Sequence, residues 1–482
     1  MANHHWNGGD VELSLKIAKF SIINFPNNLA SIILLLKFHD RTGNLNKFPS
    51  PRVALRLSPQ NGLALLYKRK YEAQRLMHNG QLDQAARIFR TIEKILPHEV
   101  TDAWLKTPFQ APSVAPILRG SKTILRLITG GAPTDIDIYR YVCRMDNAIY
   151  DPKSLGLLSK DRQVVINACP LKVGLRLSDI AFGQTRTILP DKRLRLHYKA
   201  PSHAVKGTAI CLYLGQTPLG YGRGWHGFIL DAVLGAHRVQ RLLNTSLPVL
   251  IPDNLDDRRR AFLGLAGVED SDMIPVPAAA TISVEAAVIP SRSYMRDARV
   301  WTGASWQDLR MLFEPESIIS FNADIQARFG GGAPRRLYLS RNDAPGRRII
   351  NEDAVMGALS GLGFVRLTLA EMPFEDLVSA FANAEIIVSP HGTGITNTLF
   401  APRAARVIEI DHPRNDFNAY GISRALGRKF VTFGAIPDAR RVRSSSDSQT
   451  VDVSALVAVV EEQILELESG VPNLGKRPLE QD

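Results

Sequence analysis

Apolar residues recur at helical spacing through Leu13, Ile17 and Phe20 and again through Leu63, Leu66 and Tyr67, with turn formers at Pro26, Gly43, Pro59, Gly80 and Pro97. This pattern predicts antiparallel helix pairs over residues 1–104. A mixed stretch follows, with strand-like runs at Ile138–Val142 and Val164–Asn167. Strand Thr208–Leu214, helix Gly227–Leu243, strand Pro248–Ile251 and helix Leu255–Leu265 then predict a first α/β lobe, 105–313. Beyond Ala333 the alternation becomes regular: strand Arg336–Ser340, helix Asn351–Leu362 with an Asn cap and an acidic first turn, and strand Phe364–Thr368. Helix Phe374–Asn383 and strands Glu385–Val388 and Arg406–Ile410 complete a second lobe, 314–435, predicted as a doubly wound parallel sheet. The remainder, 436–482, reads as an exposed linker, Arg440–Asp447, and a final helix, Asp452–Leu467, expected to cross back and brace the first lobe.

The chemistry concentrates between Ala384 and Ile410. An apolar β-branched run leads into Ser389-Pro390-His391-Gly392-Thr393-Gly394 and a helix start, then a second strand carrying Glu409 near its C-terminal end. Small residues at a helix N-terminus let backbone amides approach an anion. The loop lacks the third glycine of a dinucleotide fingerprint and the Gly-Lys-Ser/Thr of a P-loop, so taken alone it is weak.

Composition narrows the classes without choosing one. At 482 residues and 45% hydrophobic content the chain is globular and long enough for two or three domains. The longest apolar run, Leu29–Leu36, is far shorter than the ~20 residues of a spanning helix, and the first residues carry no basic region followed by an apolar core. A cytoplasmic protein is expected. Cys143, Cys169 and Cys211 are too dispersed for a disulfide framework or a zinc site. A net charge of +12 favours anionic partners, including phosphorylated sugars and an anionic membrane surface that would hold the chain peripherally. The basic groups at Arg258–Arg260, Arg335–Arg336, Arg347–Arg348 and Arg440–Arg441 are not interleaved with aromatics, which argues against nucleic acid.

The sequence HGTGITNTLFAP followed by VIEI resembles the C-terminal signature of glycosyltransferase family 61, in particular its bacterial capsular-polysaccharide-type members. The resemblance takes in Tyr338–Arg341, Arg347–Glu352, Gly363-Phe364, the helix around Phe374–Phe381, and Trp225-His226 with Asp231, so that it covers residues 205 to 435. Thr393 stands where the family usually has alanine, and its familiar glutamine is replaced near Asp376. In the helical region, Ala73, Gly80, Ala85, Phe89 and Pro97 fall where a tetratricopeptide unit places its small, turn, small, aromatic and terminating residues. Such helices would dock a protein partner or cap the catalytic body.

The family resemblance implies a GT-B-like pair of Rossmann-like lobes and inverting transfer of a sugar from a nucleoside diphosphate sugar, UDP-linked, to a hydroxyl of a glycan or lipid-linked acceptor in surface polysaccharide synthesis. His226 is then the candidate base, with Asp231 orienting it or acting as base itself. Spacing alone favours reading His226 as a helix-entry histidine bonded to backbone, and it is the resemblance that makes it the base. Arg341 and the amides following Gly392 are candidates for the leaving diphosphate. Glu409 is a candidate for ribose hydroxyls, His391 for phosphate contact or loop shape, and Asn397 for tying the loop to the sheet. Asp135-Ile-Asp137 and Asp270-Ser-Asp272 have the Asp-x-Asp form of metal-dependent transferases, but strand alternation explains the first as solvent-facing. No essential metal or other cofactor is expected. A second hypothesis is a non-catalytic helical-repeat adaptor whose transferase-like domain binds a nucleotide sugar without turning it over.

Overall fold

The computed structural model describes residues 99–469 apart from several internal stretches, the longest being 168–184, 213–224, 297–310, 411–417 and 438–447, together with a few positions before 99. The tetratricopeptide-like unit falls almost wholly outside the described residues, although Ala73 is helical and buried. The expected linker Arg440–Asp447 lies outside them as well.

Strands β1 Glu99–Lys106, β2 Ile117–Thr129, β3 Ala132–Tyr150, β4 Gly156–Leu158, β5 Val164–Asn167, β6 Thr185–Ile188, β7 Leu194–Tyr198, β8 His203–Cys211, β9 Val249–Pro252, β10 Met273–Val276 and β11 Ile282–Pro290 build one mixed sheet. Its order is β10-β9-β8-β11-β3-β4-β5-β1-β7-β6, with β2 paired to β3. β1 runs across the expected 104/105 boundary. Parallel pairing occupies one flank, β10-β9-β8-β11. From β11 through β3 and β4 to β5 every pairing is antiparallel. The first lobe is therefore Rossmann-like only at that flank. Connection length accounts for the difference, because two residues join β2 to β3 whereas β8 and β9 are linked by a helical crossover, as parallel neighbours require. That crossover is α1, assembled from Trp225–Gly227, a π-helical segment Phe228–Val233 and Leu234–Leu243. Helix α2, Asp257–Gly264, starts on an Asp256 cap that accepts from the Arg259 amide at 2.9 Å.

A short antiparallel pair, β12 Tyr294–Arg296 and β13 Met311–Phe313, leads to the second lobe. Helix α3, Pro315–Phe329, is capped by the Glu314 carboxylate, close to the expected 313/314 boundary. Strands β14 Arg335–Leu339, β15 Phe364–Leu367, β16 Ala384–Pro390, β17 Arg406–Ile410 and β18 Phe430–Phe433 form a wholly parallel sheet of order β15-β14-β16-β17-β18. Helices α4 Glu352–Ser360, α5 Phe374–Ala382 and α6 Asn418–Ala425 provide crossovers. The chain moves from β14 outward to β15, then returns past β14 to β16. The strand order thus reverses at the β14/β16 crevice, the place where open α/β sheets bind ligands.

Three local expectations are corrected. Helix α7, Val453–Glu468, packs Leu456, Val460 and Ile464 against Tyr338, Leu359, Ile386 and Ile408, so it braces the second lobe and not the first. Arg406 on β17 bonds Gln463 at 2.9 Å and Glu466 to hold it there. Asn351 precedes α4 without capping it, because its amide group exchanges hydrogen bonds of 3.0 and 2.8 Å with the backbone of Val451. The turn after the glycine loop is 3-10, Thr393–Phe400, and not α-helical. Between the lobes lies one continuous apolar core. Phe262 of α2 meets Phe374 at 4.8 Å and Phe400 at 5.7 Å between ring centroids.

Candidate active site

β14 and β16 end side by side, so the residues just past them, Arg341 and His391–Gly394, share one crevice. Gly392 has an extended backbone, φ 169°, that any residue could adopt. Glycine is needed there for a different reason. A Cβ built on Gly392 would lie 2.7 Å from Cζ of Arg341 and closer still to its Nη1, so the guanidinium rests directly on the loop. Arg341 donates through Nη2 to the Gly346 carbonyl at 3.1 Å, and among the described residues it forms no ion pair. Burial, and after it the nearby Arg347, bring its pKa down to about 10, with Asp343 only partly opposing them. A half-buried cation short of negative charge is an anion site in electrostatic terms.

The loop below it is anchored from its far end. The side-chain amides of Asn322 and Gln326 on α3 and the guanidinium of Arg428 donate to the carbonyls of Thr398, Leu399, Phe400 and Ala401, all at 2.7–2.8 Å. Arg428 is buried and its pKa is depressed to about 9 by desolvation. These donors satisfy the C-terminal carbonyls of the 3-10 segment, and at its start the Ile395 amide donates to the Gly392 carbonyl at 3.2 Å.

The loop after β14 is anchored by Glu352, a buried carboxylate at the start of α4. It accepts from Tyr338 Oη at 3.1 Å and Ser340 Oγ at 2.9 Å, and also from Asn342 Nδ2. Ser340 and Asn342 flank Arg341, so this one carboxylate holds both neighbours of the guanidinium-bearing residue.

His391 and Glu409 are both buried, and Nδ1 lies 2.8 Å from Oε1. Glu409, fully buried on β17, has this histidine as a partner. Thr393 and Gly394 are half-buried. A Cβ on Gly394 would lie 2.7 Å from Leu369 Cδ1, in the loop after β15.

Trp225 and His226 begin α1, directly against the 3-10 segment. Trp225 Nε1 donates to Asn397 Oδ1 at 2.9 Å. Asn397 thus ties the glycine loop to the first lobe, which corrects the expectation of a bond to the sheet. His226 is half-buried. Asp231 lies within the π-helical segment with its side chain 1% exposed, and Arg292 grips it in a bidentate pair at 3.1 and 2.9 Å. The same segment is followed by Arg238, fully buried, bonded to Ser293 and Ser317 and 3.5 Å from Glu314.

Of the site residues expected from sequence, Arg341 rests on Gly392, His391 meets Glu409, and Asn397 meets Trp225 beside His226, whereas Asp231 is paired with Arg292. The roles of Arg292, Glu352, Arg428, Asn322 and Arg258 were not recognised from sequence. Their partners are distant in the chain and are often main-chain carbonyls, which carry no residue signature. Asp137 of the Asp-x-Asp pair sits on β3 in an ion pair with Lys122 at 3.0 Å. Ser246 bonds Asp272 of the other such pair at 2.6 Å.

This arrangement defines a class, a mixed α/β protein with a parallel-sheet switch point. Residues 192–408 match the family model described as Glycosyltransferase 61. The chain is 38% identical over 84 residues to a β-1,2-xylosyltransferase of Oryza sativa subsp. japonica, covering 17% of this chain and 14% of that protein. It is 29% identical over 103 residues to an EGF domain-specific O-linked N-acetylglucosamine transferase of Drosophila melanogaster, covering 20% of this chain and 19% of that one. These matches support a glycosyltransferase. Among the described residues no helix is long and apolar enough to cross a membrane.

Proposed function

We propose that the chain is an inverting glycosyltransferase that moves a sugar from a nucleoside diphosphate sugar, UDP-linked, to a hydroxyl of a glycan acceptor. A role in surface polysaccharide or other glycan synthesis is part of this reading, as is a GT-B-like division of labour with the donor on the second lobe. The single observation that carries the proposal is the guanidinium of Arg341, without an ion-pair partner among the described residues, resting on Gly392 at the β14/β16 switch point.

In this mechanism Arg341 and the first amides of the 3-10 segment receive the charge that develops on the leaving diphosphate. Their anchors, Glu352 on one side and Asn322, Gln326 and Arg428 on the other, keep reorganisation small. His226 takes the proton from the acceptor hydroxyl. Asp231, already neutralised by Arg292, positions the start of α1. Glu409 orients His391, the candidate for phosphate contact, through Nδ1. No step calls for a metal, since guanidinium and amides supply the positive charge.

The test is UDP release from UDP-xylose, UDP-N-acetylglucosamine and UDP-glucose, with and without glycan acceptors, for the wild type, His226→Ala and Arg341→Ala. Turnover by the wild type that both variants lose is the expected result. Nucleotide-sugar binding with no turnover anywhere would replace it with the adaptor reading. The +12 net charge supports peripheral association with anionic membranes, which flotation with anionic vesicles tests; a protein remaining wholly in the unbound fraction ends that part.

A further inference from the structure

Trp225 is restrained in three independent ways. Its indole N–H donates to Asn397 Oδ1 at 2.9 Å, its ring stands edge-on to Phe262 at 4.6 Å and 89°, and the guanidinium of Arg258 lies over it at 5.6 Å. Burying the ring would account for the aromatic contact alone. The hydrogen bond and the cation both lead to the second lobe. Asn397 belongs to the segment that begins at Thr393, and Arg258 donates to the carbonyls of Leu369 at 2.7 Å and Ala370 at 3.2 Å. Leu369 in turn packs on Gly394. Two first-lobe side chains, one touching the other, thus hold both loops that border the glycine turn.

Asn397 is 1% exposed and its Oδ1 is occupied by the indole. That position suits a structural acceptor better than a ligand to a solvent-borne donor. The residue next to Trp225 is His226, at the first turn of α1, where a small rotation of the helix start swings the imidazole. We infer that the Trp225–Asn397 hydrogen bond is a coupling element that fixes His226 relative to the glycine loop, making Trp225 and Asn397 positioning residues for proton transfer. The inference rests on the function proposed above. Donor diphosphate seated on the loop and a base seated on α1 then share one rigid reference, so the acceptor hydroxyl meets both at a set distance.

The experiment measures kcat, donor KM and the pH profile of kcat for Trp225→Phe, Asn397→Leu and the double variant, using whichever UDP-sugar gives the greatest UDP release by the wild type. Each single variant is expected to lose about 10²-fold in kcat while donor KM stays within about threefold. The acid limb of the pH profile should shift, and the double variant should be no worse than the poorer single one. Asn397→Ser, which shortens the side chain beyond reach of the indole, replaces any variant that does not fold. An unchanged kcat, losses that multiply, or a raised donor KM at normal kcat overturns the coupling, the last by making Asn397 a donor ligand. If kcat and donor KM change as expected but the pH profile does not move, the coupling to His226 is overturned. Absence of turnover by the wild type across the whole panel overturns the catalytic reading and this inference together.

Discussion

The two lobes solve the same problem with different sheets. In the second, every strand is parallel, so all C-terminal ends emerge on one edge and the loops after β14, β15 and β16 converge without further design. In the first, antiparallel neighbours send successive loops to opposite edges. Its contribution to the site, Trp225 and His226, comes from the crossover between β8 and β9, inside its parallel flank. In both lobes the residues of this crevice come from connections between parallel neighbours.

The sharpest way to break that comparison is Arg341→Ala, which removes the second lobe's cation and is expected to lower turnover about 10²–10³-fold in the UDP-release assay. Arg341→Met should also raise the melting temperature of the ligand-free protein, by the equivalent of about 1–2 kcal/mol after allowance for solvent at its exposed side, because a desolvated cation is removed. The sign of the pH effect follows from its depressed pKa. Nucleotide affinity should decline as pH rises through about 10, earlier than for an ordinary arginine, and titration calorimetry at several pH values checks it.

On the first-lobe side, Arg292→Met strips the partner from the buried Asp231 and is expected to cost about 3–5 kcal/mol by denaturant unfolding. Gly392→Ala tests close approach. Its methyl group displaces the guanidinium, so donor affinity should fall about tenfold, roughly 1.4 kcal/mol, with the melting temperature little changed. Gly394→Ala meets only the movable end of Leu369 and should do less.

The smallest effect is expected far from the crevice, at His237, where desolvation lowers the pKa despite the 2.8 Å contact with Asp324. Arg238 and Arg241 reinforce the lowering. The unfolded chain then binds the additional proton first, so the contribution is complete above the ordinary histidine value and is lost as pH falls below it. His237→Gln should flatten the decline in stability below about pH 6.5, as followed by thermal melts.

The second lobe was largely legible in the sequence. Glu385–Val388 and Arg406–Ile410 are apolar runs of strand length, and they became β16 and β17 with shifts of a few residues at most. Buried parallel strands are apolar on both faces, which makes them conspicuous. Helix α6 and strand β18 were passed over, since Asn418–Ala425 is polar in half its positions and Phe430–Phe433 is short. The antiparallel meander of the first lobe could not be ordered from sequence, because β1 pairs with β5 and β7 across long separations in the chain. The π-helical segment had no signal either: FILDAV reads as ordinary amphipathic helix.

Residue type and short-range spacing alone determined that a glycine-bearing loop follows a buried strand, that Arg341 ends another, and that Trp225-His226 opens a helix. These depend on local backbone preferences and hydrophobic periodicity, which a sequence carries directly. Tertiary structure decided that Gly392 supports Arg341, that Glu409 serves His391, that Asp231 is claimed by Arg292, and that Asn397 reaches to Trp225 and not to its own sheet. Each of those is a contact between residues brought together by strand order and helix packing, and such contacts are set by the burial of the whole chain rather than by any segment of it.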